Sequence, residues 1–345
     1  LNFTLVTNSN RILATQNLYF TEASQTTDSE GNTTLVMRLN TNIDDCYLDF
    51  VYTLPADDYM VGMSIQPHNM QLALAQNMSS IELQWNQTIP QQEKGRKFEE
   101  KYAQLQYMFV GGDIEKLSEV KADRAKESAR LKWIAYKDQF FSTVLIADDA
   151  FESTQMESTP LNALSRYIKE YNTTTSLPLD ITGKKTTDLH YYLGPNHYNT
   201  LKAYDKDVEK ADRLHLNELV PLGWKIVSWI NKALVIPMFN LFTSWGLHIG
   251  IVILLMTLVI KLIILPFVFA SYKSSAKMRV LKPQLDEINE KYPPEKMQER
   301  QQATMALYQK AGVSPMSGCL PMLFQFPVLM AMFWFLPTAI ELRGQ

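Results

Sequence analysis

The chain has 345 residues, of which 46% are hydrophobic and 20% are charged, and its formal net charge is −3. The charge is uneven, because residues 1–215 carry 21 Lys and Arg against 29 Asp and Glu, whereas the remaining residues carry 12 against 7. An acidic first part excludes nucleic-acid binding as its main function, since phosphate contacts require clustered basic side chains.

The first part of the chain has the pattern of short β-strands. Within residues 32–89 the runs TTLVMRL, CYLDFVYTL, YMVGMSI and SIELQW are rich in apolar residues and are separated by turn-forming Pro, Asn and Asp. Residues 93–129 are charged and partly helical in pattern, and residues 131–148 return to apolar, strand-like runs. This succession predicts a mostly-β domain over residues 1–210, an antiparallel β-sandwich with helical insertions.

An amphipathic helix is predicted next, at residues 216–240. Its polar side chains recur at spacings of three and four and form one stripe: Lys225, Ser228, Asn231 and Lys232. Trp224 and Trp229 are typical of the membrane–water interface, and Pro237 is expected to end the helix. We therefore expect this helix to lie in the headgroup plane, with a membrane-spanning helix as the alternative.

Residues 245–270 form the clearest transmembrane segment. From residue 246 to residue 270 the chain contains Lys261 and no other Asp, Glu, Lys or Arg. A helix of this length extends about 39 Å at roughly 1.5 Å per residue, which is enough to cross a bilayer with some tilt. The segment is therefore predicted to span a membrane.

A basic segment, residues 271–315, follows this span. Its Lys and Arg side chains place it on the cytoplasmic side of the membrane by the positive-inside rule. The pattern predicts a hairpin of two helices, residues 273–291 and 295–311, joined at Pro293 and Pro294.

A second span is predicted at residues 317–340, which returns the chain across the bilayer. Residues 1–215 are then on the outer side, which is the periplasm in a bacterium with two membranes. We accordingly expect a multi-pass protein of the bacterial inner membrane with residues 1–215 in the periplasm.

Lys261 lies near the middle of the first span, roughly 15 Å of helix from its cytoplasmic end. Its side chain is too short to reach the interface, and an ionisable residue at the bilayer centre costs about 2.5–3.5 kcal/mol. One interpretation is that Lys261 faces a functional hydrophilic cavity. The alternative is a lysine neutralised by a carboxylate on another helix.

The second span contains three prolines, Pro321, Pro327 and Pro337, together with Gln325. Pro327 removes a hydrogen bond from the helix interior and predicts a kink. The remaining face is apolar, and its methionines suit the recognition of varied apolar segments. It contains Met322, Phe326, Leu329, Met330, Phe333 and Trp334. From the residues alone, an ordinary lipid-facing or packing surface is the simpler interpretation.

Motifs for hydrolytic or nucleotide chemistry are absent from the sequence. There is no GxxxxGK[ST] loop, no HExxH and no GxSxG, and the five histidines are scattered. Cys46 and Cys319 are predicted to lie in different compartments, so neither a disulfide framework nor a Cys-based metal site is expected. We therefore expect no enzymatic activity, no cofactor and no metal.

Two stretches carry a resemblance to a known family. They are WGLHIGIVILLMTLVIKLIILPFVFASYKSSAKMRVLKPQLDEINEKY and ALYQKAGVSPMSGCLPMLFQFPVLMAMFWFL. In order, they contain a basic residue in mid-span, the hairpin motif KMxxLxP and the run GCxPxxxQxP. In these features the chain resembles the YidC/Oxa/Alb insertase family, and the runs WIAYKDQFFSTVLIA and YYLGPNHYNTL extend the likeness to the first part.

The resemblance implies a fold and a set of site residues. In the family the periplasmic domain is a β-supersandwich similar to sugar-mutarotase folds, and an α-helical membrane domain with a cytoplasmic helical hairpin encloses a hydrophilic groove. Lys261 matches the position of the groove cation, which is more often arginine, and Gln325 would line the same groove. The second span would provide an apolar slide for client segments: Met322, Phe326, Leu329, Met330 and Phe333. The basic hairpin residues are Lys273, Lys277, Arg279, Lys282 and Arg300.

The resemblance also implies partners, namely nascent membrane proteins, the Sec translocon, the ribosome and the lipid bilayer, with no nucleic acid bound directly. The sequence ends after two core spans and lacks the family's N-terminal anchor helix, so we expect an incomplete chain. Two other functions are possible in principle. One is a membrane-anchored carbohydrate-active enzyme, suggested by the mutarotase likeness, and the other is a periplasmic scaffold for the translocon.

Overall fold

The computed structural model describes residues 1–292, 296–312 and 320–343. The chain divides into two compact units, Leu1–Val220 and Pro221–Gln345. Each unit buries its own set of apolar side chains.

The first unit extends beyond the boundary near residue 210 that the sequence predicts. Leu216 and Leu219 are fully buried within it. The indole Nε1 of Trp133 also donates a hydrogen bond of 2.7 Å to the carbonyl of Leu214. The residues that follow the predicted boundary are therefore packed onto the β-strands.

The first unit consists of fourteen β-strands and two short α-helices. The strands are β1 Asn2–Val6, β2 Ile12–Ala14, β3 Thr21–Thr27, β4 Thr33–Asn40, β5 Tyr47–Leu54, β6 Met60–His68, β7 Ser80–Pro90, β8 Gln104–Phe109, β9 Ile114–Lys116, β10 Asp123–Glu127, β11 Leu131–Lys137, β12 Phe141–Pro160, β13 Tyr167–Pro178 and β14 Thr187–Pro195. The helices are α1 Arg96–Tyr102 and α2 Tyr198–Ala203.

The strands form two antiparallel sheets that share one strand. The first sheet has the order β2-β1-β7-β13-β12-β10, and the second has the order β9-β8-β11-β12-β14-β6-β5-β4-β3. The shared strand β12 is 20 residues long, and it pairs with β14 as far as Ala147 and with β13 from Glu152 onward. The register shifts after Glu152, and Ser153 has a left-handed φ of 50°, so the strand bends from one sheet into the other.

The hydrophobic core lies between the two sheets. In β7, buried Ile81, Leu83 and Trp85 alternate with more exposed neighbours, as expected for a strand with one inward face. Across the core, the Phe3 ring of the first sheet lies 5.4 Å from the Phe50 ring of the second. The buried side chains of both sheets form one continuous cluster. The mostly-β first part that the sequence predicts is thus confirmed.

The segment predicted to be partly helical, residues 93–129, contains one short helix but more strand than helix. Only α1 is α-helical in it, and β8, β9 and β10 follow. In β10, Arg124 and Lys126 are exposed, while Ala125 between them packs against the core. Charged side chains are favoured on an edge strand because they discourage pairing with other chains. The charge pattern here indicates an edge strand and not a helix.

The second unit is helical. Its helices are α3 Lys225–Ile230, α4 Ile236–Thr243, α5 Ile249–Val280, α6 Lys282–Lys291, α7 Met297–Ala311 and α8 Leu320–Phe335. A π-helical turn, Asn231–Val235, joins α3 to α4 without a break. By length and composition, Lys225–Thr243 and Ile249–Val280 could each cross a membrane, and Gln325–Thr338 is a shorter apolar helix.

Pro237 does not end the helix that the sequence places at residues 216–240. The helix continues through Pro237 to Thr243. Proline has no N–H, so in an uninterrupted α-helix the carbonyl group four residues earlier would lose its hydrogen bond. The π-helical turn before Pro237 changes the hydrogen-bond pattern at this point.

The predicted polar stripe of this helix is only partly exposed. Asn231 is fully buried, and its side-chain amide donates a hydrogen bond of 3.0 Å to the carbonyl of Leu222. Lys225 and Lys232 are exposed, as are Trp224 and Trp229 and other apolar residues. The exposed face therefore combines cations with tryptophans, and Asn231 belongs to the packed interior.

α5 is longer than the span predicted at residues 245–270. It begins at Ile249, with Nδ1 of His248 accepting a hydrogen bond of 3.2 Å from the backbone of Gly250, and it runs to Val280. The first helix of the predicted hairpin is therefore divided between α5 and α6. The predicted joint at Pro293 and Pro294 lies outside the described residues.

Candidate functional site

Lys261 is exposed on α5. The residues of α5 that pack against the rest of the unit recur every four positions and include Val252, Met256, Ile260 and Ile264. Lys261 falls outside this stripe and is exposed together with many apolar side chains, such as Leu258 and Leu262. Up to residue 270 the helix thus presents a single cation within an apolar surface, which is costly in a bilayer unless the cation meets water or a polar group.

The five predicted slide residues lie on one face of α8. They are Met322, Phe326, Leu329, Met330 and Phe333, and their spacings of one, three and four residues place them on one side of a helix. Four of them are exposed, with Met322 at 72% and Phe333 at 60%, and Met330 is half-buried. This set is hereafter called the apolar stripe of α8.

The opposite face of α8 holds the helix in the unit. Ala331 and Phe335 are buried, and the Phe335 ring lies 5.4 Å from the Phe239 ring of α4 in an edge-on arrangement. A Cβ added to Gly223 would lie 3.0 Å from the Trp334 ring, so the backbone before α3 approaches α8 closely. The packing face is therefore distinct from the apolar stripe, and the stripe remains mostly exposed.

Gln325 is exposed on α8, to one side of the apolar stripe. Among the residues that the structure describes, no side-chain hydrogen bond joins Gln325 to Lys261. Lys261 and Gln325 are therefore two exposed polar side chains on neighbouring apolar helices, and they do not contact each other through a hydrogen bond.

The basic hairpin residues lie on three helices. Lys273, Lys277 and Arg279 are exposed near the C-terminal end of α5, where cations interact favourably with the helix dipole. Lys282 begins α6 and is exposed, whereas Arg300 in α7 is half-buried.

A cluster of ionisable side chains inside the first unit was missed by the sequence reasoning. Lys137 and Lys169 are 2% and 1% exposed. Lys137 Nζ donates to the carbonyl of Tyr102 at 3.0 Å, and Lys169 Nζ donates to the carbonyls of Ala103 and, at 2.7 Å, Glu119. Both lysines thus bind carbonyl groups at the C-terminal end of α1. Burial lowers the pKa of each ammonium group to about 8.

Two carboxyl groups belong to the same cluster. Glu99 is fully buried and accepts hydrogen bonds from the backbone of Gln92 at 2.7 Å and of Glu93 at 3.1 Å. Burial, with a contribution from Glu99, raises the pKa of Asp138 above its usual range. In the part of the chain that the structure describes, no group of three or more His, Cys, Asp or Glu side chains could hold a metal ion. The hydrogen bonds from Lys137 in β11 and Lys169 in β13 to the end of α1 fix this helix against the strands.

Comparisons with known proteins cover the whole chain. A family model described as the YidC periplasmic domain matches residues 1–237, and a model described as the 60Kd inner membrane protein matches residues 239–345. Proteins named membrane protein insertase YidC are 50% identical in Parabacteroides distasonis, 47% in Azobacteroides pseudotrichonymphae and 46% in Bacteroides fragilis. These matches cover 98–100% of this chain and 54–55% of the relatives, so the chain spans about half the length of the curated relatives it matches.

Proposed function

The chain belongs to the YidC family of membrane protein insertases, and on that basis we propose that it inserts and folds transmembrane segments in the bacterial inner membrane. The observation that supports this most directly is the apolar stripe of α8, which is exposed on the side opposite the packing residues Ala331 and Phe335. An apolar helical segment of a client can pack along such a stripe without displacing the helices behind it.

Lys261 and Gln325 are proposed to contribute to a hydrophilic groove. The hydrophilic end of a client must cross roughly 30 Å of hydrocarbon, and each polar group in it is expensive to move through that layer. A cation and an amide set within the apolar surface provide polar contacts part of the way across. The groove thereby lowers the barrier in stages and involves no covalent step and no nucleotide.

The apolar stripe of α8 is proposed to guide the client out of the groove and into lipid. Its residues include two methionines and two phenylalanines. Unbranched methionine side chains adapt to varied apolar surfaces, which suits a site that meets many different segments. The stripe is thus a slide with low sequence specificity.

The basic residues of α5, α6 and α7 are proposed to lie in the cytoplasm, where they would meet the client or the ribosome. The positive-inside rule supports this topology and places residues 1–215 in the periplasm. In the same proposal, the protein acts either alone or beside the Sec translocon. In it, the β-rich first unit is an accessory domain and the second unit contains the insertion site.

Site-specific photocrosslinking in the full-length protein tests the proposal. Photoreactive residues replace Phe326, Met330 and Phe333 one at a time, and each variant is incubated with a ribosome-bound nascent membrane segment. Leu254, which is 64% exposed on α5, provides the control position. We expect strong adducts on the apolar stripe that disappear when the client segment is made polar. Adducts no stronger than at Leu254 would argue against the slide.

Deletion of most of residues 1–205 tests the accessory role of the first unit. We expect insertion of membrane clients to continue without it. Loss of insertion in the deletion variant, with the second unit still present in the membrane, would favour a scaffold function for the β-rich unit.

A further inference from the structure

A basic cavity of about 420 Å³ lies on the first unit near its C-terminal end. Its lining comes from α2 and from the segment that follows α2. Lys202, Lys206 and Arg213 contribute three permanent positive charges, and Asp205 contributes one carboxylate. The side chains that line the cavity therefore carry two more positive than negative charges, in a part of the chain that is acidic as a whole.

Asp205 is occupied by the chain's own backbone. Its carboxylate accepts hydrogen bonds from the backbone of Leu214 at 2.6 Å and of His215 at 2.9 Å. His215 has a left-handed φ of 50°, which this pair of hydrogen bonds helps to hold. Asp205 thus fixes the wall of the cavity, and two amide groups already stabilise its negative charge.

The three cations have no carboxylate partner among the residues that the structure describes. No carboxylate oxygen of those residues lies within 4.0 Å of the charged nitrogens of Lys202, Lys206 or Arg213, and all three side chains are exposed. The Nε of Arg213 donates to the carbonyl of Val208 at 3.3 Å, which orients its guanidinium group. The cations are therefore available to an anion from solution or from a membrane surface.

The cavity is followed closely along the chain by α3 of the second unit. Asn217 lines the cavity, and α3 begins at Lys225, next to the exposed Trp224. Eight residues of fully extended chain reach at most about 28 Å. Exposed tryptophan beside lysine is typical of a helix at the membrane–water interface.

We propose that this cavity binds the phosphate of an anionic phospholipid headgroup and thereby holds the first unit at the membrane surface. Lysine and arginine are the side chains that bind phosphate oxygens, with arginine able to form two parallel hydrogen bonds. The volume lies within the roughly 300–1,000 Å³ of small-molecule sites, so a headgroup fits. The site is independent of the insertion activity, because none of its residues belongs to the groove or to the apolar stripe.

The test uses the full-length protein in lipid nanodiscs, with a photoreactive residue in place of Asn199, which lines the cavity. Nanodiscs of phosphatidylcholine alone are compared with nanodiscs that also contain phosphatidylglycerol, and lipid adducts are measured by mass spectrometry. We expect phosphatidylglycerol adducts that fall by about tenfold or more in the combined variant Lys202→Gln, Lys206→Gln, Arg213→Gln, since basic side chains near an anionic surface are attracted to it.

A matched control removes three exposed cations elsewhere on the first unit, by Lys94→Gln, Lys97→Gln and Lys121→Gln. This variant has the same net charge and is expected to retain its adducts. Equal loss in both variants would overturn the proposal, because general attraction to the membrane would then explain the adducts.

Two further measurements separate the site from its alternatives. Ala203→Trp fills the cavity without changing its charge, so adducts should also fall, and unchanged adducts would overturn the proposal. Binding of inorganic phosphate is followed by phosphorus NMR in phosphatidylcholine nanodiscs. Phosphate binding that depends on the three cations, without phosphatidylglycerol adducts, would overturn the lipid assignment in favour of a soluble phosphate compound.

Discussion

The Tyr136 ring of β11 stacks on the Trp85 indole of β7 with 3.7 Å between the ring centroids, and its hydroxyl donates a hydrogen bond of 2.9 Å to the carbonyl of Trp85. The same hydroxyl lies 2.7 Å from Oγ1 of Thr173 in β13. Trp85 and Thr173 belong to the first sheet and Tyr136 to the second. One buried side chain therefore joins the two sheets by stacking and by hydrogen bonding.

Tyr136→Phe is expected to destabilise the first unit by about 1–3 kcal/mol. The substitution keeps the stacked ring but leaves buried polar groups without their partner. Thermal unfolding of the full-length protein in detergent, followed by near-ultraviolet circular dichroism, measures the change. Tyr19→Phe is the control, because Tyr19 is 95% exposed and its change should lie within about 0.5 kcal/mol of zero. Equal midpoints for both variants would contradict the structural role of the hydroxyl.

The contribution of Asp138 to the stability of the first unit should fall as the pH rises between about 4 and 7. Burial is the main cause that raises the pKa of Asp138 from 3.8 to about 7, so within this range the folded state binds a proton that the unfolded state has released. The stabilisation is complete below the unfolded pKa and is lost as the pH passes the folded pKa. Asp138→Asn removes this pH dependence. The free energy of unfolding of the variant, minus that of the native protein, should therefore rise by on the order of 2–4 kcal/mol from pH 4 to pH 8.

The measurement is the unfolding midpoint of the native protein and of Asp138→Asn across this pH range. Asp113→Asn, at an exposed position of the same unit, provides the control and should follow the native curve. If the Asp138→Asn curve runs parallel to the native curve at every pH, the buried carboxyl does not control the acid response.

The sequence predicted features whose cause is local. The runs that became β4, β5, β6 and β7 show strand patterns within a few residues, and the α8 stripe follows from helical spacing alone. The division of β12 between two sheets depends on partners far away in the sequence, so no local pattern reveals it. Buried Lys137 was likewise hidden, because lysine is normally a surface residue and only the packing of α1 supplies its acceptor.

The continuation of the helix through Pro237 illustrates the same limit. Proline in a helix interior normally ends or bends the helix, whereas here a π-helical turn, Asn231–Val235, precedes Pro237 and the helix continues. For the site, helical spacing places the five residues of the apolar stripe on one face, but it also grouped Trp334 with them, and the Trp334 ring lies near Gly223. Spacing could not predict the distance between Lys261 and Gln325, because that distance depends on how separate helices pack.

Lys261→Met should reduce the insertion of a client with an acidic hydrophilic end by about tenfold or more, because a hydrogen bond to a charged group contributes roughly 1.5–3 kcal/mol. Lys261→Arg preserves the charge and should retain insertion. Insertion is measured in inverted membrane vesicles with full-length protein, as protection of the client from protease. A client whose hydrophilic end is neutral is the internal control and should depend less on Lys261. Equal loss for both clients would show that the charge of Lys261 does not act on the acidic group.

Phe326→Ser combined with Phe333→Ser should weaken the capture of apolar clients on α8 by roughly tenfold, since each phenylalanine loses part of the 1.5–3 kcal/mol that full burial against a client provides. The matched control is Leu254→Ser combined with Leu258→Ser, which removes two exposed apolar side chains from α5. Crosslinking from Met330 to the nascent segment measures capture in both variants. A loss confined to the α8 variant would mean that clients follow the apolar stripe in particular. Equal losses would mean that the stripe is simply one part of a general lipid-facing surface, because serine on either helix would then disturb the contact with lipid in the same way.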